Sequence, residues 1–240
     1  MGSDVIDSIF DKRIEIFDSH KSPWVINAQL IATFPTGARS RGTATLINKN
    51  CLVTAGHCLY DNDEGGYATN VELVFGRYDN RFLIKSISNQ FIVHPEYVKN
   101  DENFDFSLIN LKDDIGNKLG WASIKVFDDK ELDKKRVNIS GYPGTKGFFN
   151  TLLDRPSYRM YTMEGTILSV KKHKIYYDVD TSGGQSGSAV WALDLNGIPQ
   201  CLAIHTTGKS SRVEGNGAVR MNEENFNILM DWADFYQKKQ

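Results

Sequence analysis

The sequence predicts an all-β protein that ends in one α-helix, and three observations support this fold class. Short segments rich in β-branched and aromatic residues follow one another at close spacing, with turn residues between them. Strand and helix patterns do not alternate as they would in a parallel sheet, and no internal repeat is visible. Only the stretch near the carboxyl end has apolar residues at helical spacing. Short strands separated by turn residues are typical of a sandwich or a barrel.

The strand pattern occurs on both sides of a polar, charged middle region. The segments are residues 25–34, 42–54, 70–75, 82–86 and 104–111 before it, and 137–140, 160–170, 174–180 and 200–205 after it. Glycine, proline, asparagine and aspartate mark the turns between them, for example at 61–66 and 142–144. We interpret the middle region, residues 113–135, as the bridge between the two halves.

The terminal helix is predicted from residue 223 to about residue 236. Asn222 can cap its first turn, and Glu223 and Glu224 follow where negative charge favours the helix dipole. The apolar residues after them recur near helical spacing. We expect this apolar face to be a packing surface.

Composition limits the classes of function. The chain has 240 residues, of which 40% are hydrophobic and 24% charged, and its formal net charge is -2. These are ordinary values for a soluble globular protein. The charge balance lacks the basic footprint of a nucleic-acid-binding protein, and no apolar run approaches a transmembrane span. We therefore expect neither nucleic acid nor a membrane among the partners.

The cysteines favour neither a disulfide scaffold nor a metal site. Their number is 3, so at least one thiol has no partner within the chain. Cys51, Cys58 and His57 share one short stretch, and no second ligand pair accompanies them. The acidic loop 61–65 lacks the distal glutamate that a calcium loop requires. We predict no metal and no cofactor.

A serine between glycines is the first candidate for chemistry. In the sequence Gly-Gly-Gln-Ser-Gly-Ser at 183–188, the glycines permit a tight, exposed turn. Such a turn can aim successive N–H groups at one point, as a developing oxyanion requires. Taken alone, the motif would favour an ordinary flexible loop.

A histidine and an aspartate accompany this serine. His57 stands just past the end of the apolar segment 51–53, where a lone histidine is usually structural. Asp105 opens the apolar segment 105–111, and a carboxylate buried there needs a partner such as a histidine N–H. A serine hydroxyl needs an adjacent base, and an aspartate can hold that base in the correct tautomer. We predict His57, Asp105 and Ser186 as a catalytic triad, in the chain order His, Asp, Ser.

The three motifs resemble the signature segments of trypsin-like serine proteases. They are residues 54–58, 105–108 and 184–188. Segments 139–144, 180–188 and 202–206 are in addition similar to bacterial glutamyl endopeptidases of the Bacillus and staphylococcal V8 type.

The resemblance implies a fold of two packed antiparallel β-barrels, chymotrypsin-like, within a single unit over residues 1–240. The amino-terminal barrel, at about 20–115, would carry His57 and Asp105. The carboxyl-terminal barrel, at about 135–221, would carry Ser186, and the helix would follow at 222–237. The implied activity is that of a monomeric serine endopeptidase, which hydrolyses proteins or peptides through an acyl-enzyme.

The resemblance also implies roles at the substrate site. The N–H groups of Gly184 and Ser186 would form the oxyanion hole, and Thr206 would support the triad acid. Thr181 and His205 would line the S1 pocket and give a preference for glutamate, then aspartate, at P1. A hydroxyl and an imidazole can both donate to a carboxylate, and a protonated His205 would add charge assistance.

Other interpretations stay open at this point. His205 could be a buried structural histidine. The triad could serve a protease of different or narrow specificity, and a homologue without activity could act as a binding module.

The sequence departs from the family pattern at several positions. Gln185 stands where trypsin-like proteases have an aspartate that pairs with the ammonium freed by zymogen cleavage, so we expect no activation of that type. Residues 5–6 resemble the processed amino terminus of glutamyl endopeptidases. Cys58 and Cys201 lack their family partners. The resemblance implies secretion, with the leader absent from this chain. The missing disulfide partners leave an alternative open: either the protein folds well without these bridges, or it works in a reducing, intracellular compartment.

Overall fold

The structure is a computed structural model, and it describes residues 12–144, 158–179, 181, 183–208 and 215–238. Two large sheets form the molecule. One contains β2 (Asn27–Thr33), β3 (Arg39–Leu46), β4 (Cys51–Thr54), β7 (Asn70–Phe75), β8 (Ile84–Ser88), β9 (Phe91–Val93) and β10 (Ser107–Asn110). The other contains β1 (Ile14–Ile16), β11 (Ser123–Ile124), β12 (Arg136–Gly141), β13 (Met160–Val170), β14 (Lys174–Tyr177), β15 (Ala189–Leu193), β16 (Pro199–Thr207) and β17 (Asn216–Arg220).

The remaining elements lie outside these two sheets. A small hairpin is formed by β5 (Tyr60–Asp61) and β6 (Gly66–Tyr67). The α-helices are α1 (Pro95–Val98), α2 (Gly116–Leu119), α3 (Asp129–Leu132) and α4 (Glu223–Gln237), and 3-10 turns lie at Trp24–Ile26, Gly56–Cys58 and Glu102–Phe104.

The second sheet closes into a barrel of 6 strands. Its order is β13-β12-β15-β16-β17-β14, and β14 pairs again with β13. Neighbouring strands around the barrel are antiparallel. The interior is filled by apolar side chains such as Ile139, Ile167 and Val190. The all-β prediction with a closed carboxyl-terminal barrel is therefore confirmed.

The predicted chymotrypsin-like fold is confirmed, although its amino-terminal sheet curls into a half-barrel and does not close. Its order is β8-β7-β2-β3-β4-β10-β9, so β8 and β9 are its two edges. The hydroxyl of Ser88, at the end of β8, donates to the carbonyl of Asn110 on β10 across 2.6 Å. This side-chain hydrogen bond links one edge strand, β8, to β10, the neighbour of the other edge strand.

The predicted continuous strand at 42–54 is wrong, because β3 and β4 are separate strands joined by a tight turn. The side-chain oxygen of Asn48 accepts hydrogen bonds from the N–H groups of Asn50, at 2.9 Å, and Cys51, at 2.6 Å. A side chain that imitates a backbone turn reverses the chain here. The reversal places the end of β4 beside β10.

The predicted terminal helix is confirmed as α4. The side chain of Asn222 accepts from the N–H of Asn225 at 2.8 Å and so caps the first turn. The inner face of α4 packs with Leu229 and Ala233 against Phe106 and Leu108, beside β10. Among the described residues, no helix has the length and apolar content needed to cross a membrane.

Candidate active site

His57 and Asp105 meet where β4 and β10 pair. These strands are antiparallel, with Thr54 opposite Ser107. Just beyond this pair, the turn Gly56–Cys58 presents His57, and Asp105 ends the turn before β10. The Nδ1 atom of His57 lies 2.8 Å from Oδ2 of Asp105, and the backbone N–H of His57 donates to Oδ1 at 2.9 Å. The sheet register therefore joins two predicted triad residues.

Burial and charge shift the pKa values of His57 and Asp105 in opposite directions. The Asp105 side chain is 6% exposed, whereas the His57 side chain is 34% exposed and open to a ligand. Burial is the largest influence on the pKa of His57 and lowers it, but the charges of Asp105 and Cys58 and the hydrogen bonds to both side chains together outweigh burial, so the pKa lies well above its usual value. Burial is the largest influence on the pKa of Asp105 and raises it, but the charge of His57, the hydrogen bonds to His57 and the charge of Lys174 together outweigh burial and lower the pKa overall. The aspartate is thus held ionised beside the imidazole.

The Ser186 loop packs against the segment that carries His57. The carbonyl of Ser186 accepts from the N–H of Thr43 at 2.8 Å, and the Cys58 thiol approaches the same carbonyl at 3.8 Å. Gly187 has φ of 83°, and a side-chain carbon there would overlap the Thr54 hydroxyl. Only glycine combines this backbone with such a close approach. The Ser186 hydroxyl makes no hydrogen bond to a described residue.

Two N–H groups of this loop are left for a ligand. The N–H groups of Gly187 and Ser188 donate to the carbonyls of His205, at 2.7 Å, and Gln185, at 3.1 Å. By contrast, neither Gly184 nor Ser186 donates its N–H to any residue that the structure describes. This is the pair that the sequence predicts for an oxyanion hole.

Thr181 and His205 are both buried near this loop. The hydroxyl of Thr181 is buried and has no hydrogen-bond partner in the described part of the chain. His205 is bonded to the loop through its backbone, since its N–H donates to the carbonyl of Ser188 at 2.9 Å. Burial, followed by the charge of His57, lowers the pKa of His205 to about 3. This low pKa favours the neutral imidazole when no ligand is bound.

Thr206 has a partner that the sequence did not indicate. Its hydroxyl oxygen accepts a hydrogen bond from the ammonium of Lys174 at 3.1 Å, and both residues are buried. Burial lowers the pKa of Lys174, and the charge of Asp105 acts against this shift. Lys174 therefore places a cation close enough to Asp105 to interact with its charge.

All three cysteines are free and buried: Cys51, Cys58 and Cys201. Cys58 has Gly42 beside it, and a side-chain carbon at Gly42 would stand 2.7 Å from the sulfur. The family bridge is thus replaced by a tight packing contact. Within the described ranges, no group of three or more His, Cys, Asp or Glu side chains is arranged to hold a metal.

Sequence reasoning missed three buried side chains around the site: Arg13, Lys174 and Tyr177. Arg13 contacts Gln185, Lys174 contacts Thr206, and Tyr177 contacts His205. Alternation along a strand shows which face a residue occupies, but not which distant strand it meets. The pairing of distant strands brings these partners together, through β17 for Lys174 and Tyr177 and through β1 on β13 for Arg13. The amino-terminal residues 5–6 lie outside the described residues.

Comparison with known proteins agrees with this geometry. A glutamyl endopeptidase of Bacillus licheniformis is 29% identical over 200 residues, which cover 81% of this chain and 60% of that protein. An extracellular metalloprotease of Bacillus subtilis is 29% identical over 227 residues, covering 93% of this chain and 68% of that protein. The chain thus spans 60% to 68% of the length of these curated relatives.

Solved structures and a family model extend the comparison to nearly the whole chain. A solved structure of a Glu endopeptidase is 26% identical, with a TM-score of 0.77, and the match covers 97% of this chain and 99% of that one. Residues 17–229 match the family model described as Trypsin. This match, over most of the sequence and both sheets, shows that the chain belongs to the trypsin family of serine proteases.

Proposed function

We propose that this protein is a serine endopeptidase that cleaves after glutamate and, less readily, after aspartate. The observation that carries the proposal is the pair Thr181 and His205 beside the Ser186 loop. The buried Thr181 hydroxyl has no partner among the described residues, which is unfavourable, and a substrate carboxylate would satisfy it. The imidazole of His205 can supply a second donor to the same carboxylate. The names of the glutamyl endopeptidase relatives point to the same P1 residue.

The contact between His57 and Asp105 supports the catalytic roles that we propose. Ser186 attacks the peptide carbonyl while His57 accepts the hydroxyl proton, and Asp105 holds His57 in the tautomer that can accept it. The N–H groups of Gly184 and Ser186, which donate to none of the described residues, stabilise the oxyanion. His57 then donates its proton to the leaving amine, and water hydrolyses the acyl-enzyme by the reverse sequence.

The site of action is proposed to be outside the cell. The Bacillus subtilis relative is named as extracellular. The free, buried cysteines are compatible with that location, because a fold without disulfides is stable in an oxidising or a reducing environment.

A digest of a whole proteome tests the P1 assignment. Mass spectrometry of the new termini identifies the P1 residue of each cleavage, and a digest with the Ser186→Ala variant is the negative control. We expect glutamate to dominate, with cleavage after glutamate exceeding cleavage after glutamine by at least about 100-fold, since a site built for a charge rejects its neutral isostere. A profile dominated by lysine, arginine or aromatic residues would overturn the glutamate proposal and leave the family assignment intact.

A further inference from the structure

The barrel brings a buried tyrosine against the S1 histidine. Tyr177 ends β14, His205 lies on β16, and β17 runs between these strands. The hydroxyl oxygen of Tyr177 is 2.6 Å from Nδ1 of His205, and both side chains are buried. A contact this short between buried polar groups fixes the orientation of the ring.

The protonation states restrict what this contact can be. Burial raises the pKa of Tyr177 well above its usual value, so the hydroxyl keeps its proton. Burial, then the charges of His57 and Lys174, lower the pKa of His205 to about 3, while a hydrogen bond to the backbone of Gly217 and the charge of Asp105 oppose them. A neutral imidazole carries one N–H and one acceptor nitrogen. The partner of Nδ1 therefore decides which nitrogen carries the proton.

The tyrosine hydroxyl has two acceptors within reach. One is Nδ1 of His205 at 2.6 Å, and the other is the carbonyl of Gly217 at 3.4 Å. Hydroxyl donors prefer about 2.5–3.0 Å, which favours the imidazole nitrogen. If the hydroxyl donates to Nδ1, the ring proton must reside on Nε2.

We propose that Tyr177 is a positioning residue for substrate specificity: its hydroxyl donates to Nδ1 of His205 and holds the ring in the tautomer that carries the proton on Nε2. This inference rests on the proposed role of His205 in binding a P1 carboxylate. A carboxylate only accepts hydrogen bonds, so it requires an N–H at that position. In the other tautomer, the Nε2 lone pair would face the carboxylate and repel it.

The substitution Tyr177→Phe removes only the hydroxyl, and Tyr176→Phe is its matched control on the same strand. Tyr176 is partly exposed and has no hydrogen bond through its hydroxyl to a described residue. We measure kcat/KM for paired peptides with glutamate or glutamine at P1, normalised to titrated active sites. Tyr177→Phe should lower the value for the glutamate peptide by about 10-fold to 100-fold and change the glutamine peptide little. Tyr176→Phe should match the wild type.

A His205→Ala variant separates the inference from the proposed function. If His205→Ala reduces the preference for glutamate and Tyr177→Phe does not, the role of Tyr177 is overturned while the proposed function stands. If His205→Ala also leaves the preference unchanged, both fail.

Nitrogen NMR of the full chain reads the tautomer without relying on activity. In a Ser186→Ala background labelled with ¹⁵N-histidine, we expect the His205 spectrum to show an acceptor Nδ1 and a protonated Nε2. In Tyr177→Phe this pattern should be lost or mixed. A protonated Nδ1 in the protein with Tyr177 intact would overturn the proposal.

Discussion

The guanidinium of Arg13 donates a hydrogen bond to the side-chain oxygen of Gln185 across 3.2 Å, in the interior of the protein. Arg13 directly precedes β1, which pairs with β13 of the barrel, and Gln185 directly precedes the candidate nucleophile. The bond therefore ties the amino-terminal arm to the Ser186 loop. Gln185 forms no ion pair of the trypsin type, but a cation on the arm contacts it nonetheless.

The substitution Arg13→Met should impair catalysis, because the loop that aims the oxyanion N–H groups loses this charged hydrogen bond. A hydrogen bond to a charged group contributes about 1.5–3 kcal/mol, so kcat/KM per active site should fall by about 10-fold to 100-fold. Arg39→Met, at an exposed arginine on β3, is the control. Equal activity of the two variants would show that the arm does not support the loop.

The pH dependence of catalysis should reflect the raised pKa of His57. Only the neutral imidazole can accept the proton of Ser186, so kcat/KM should rise with pH through a midpoint above the ordinary histidine value of 6.5. In Asp105→Asn the attraction is lost, so the midpoint should move to lower pH while kcat falls by about 10⁴-fold. A midpoint that is unchanged by Asp105→Asn would contradict the assigned pair.

Lys174 provides a second test of the charges around the triad. The ammonium of Lys174 donates a hydrogen bond to Thr206. The carboxylates of Asp101, Glu102 and Asp105 raise the pKa of Lys174. The charge of Lys174 in turn lowers the pKa of His205. In Lys174→Met, the charge of Asp105 is less compensated and holds the His57 proton more strongly. The midpoint of the pH–rate profile should therefore shift to higher pH.

Lys172→Met is the matched control for Lys174→Met. Its ammonium is exposed and pairs with Glu224 on α4, away from the triad. The midpoint should stay at its wild-type pH in this variant. If both variants shift equally, or neither shifts, Lys174 does not act on the triad.

Reducing agent should have little effect on stability. No disulfide joins Cys51, Cys58 or Cys201, and each thiol is buried. Burial raises the pKa of Cys51 and Cys201, which keeps these thiols protonated and unreactive. We expect Tm and activity in dithiothreitol to equal those without it. A marked fall in Tm would reveal a bridge that this structure lacks.

The sequence predicted the features that depend on local pattern, and it predicted fewer of the contacts between distant strands. Residue type and spacing predicted the fold class, the terminal helix and the residues His57 and Asp105, which the strand register then joins. The turn at Asn48 was missed because β-branched and apolar residues on both sides resemble one continuous strand. The contact between Tyr177 and His205 spans 28 residues and three strands, and no local pattern encodes it.

Covalent labelling of the nucleophile tests the central claim most directly. A fluorophosphonate reacts with a serine that a neighbouring base activates, and peptide mapping by mass spectrometry locates the adduct. The account predicts one adduct per chain, on Ser186, and its loss in His57→Ala. It also predicts that Ser186→Ala lowers kcat by about 10⁶-fold without loss of fold. An adduct at another serine, or equal labelling of Ser186 in His57→Ala, would contradict the account.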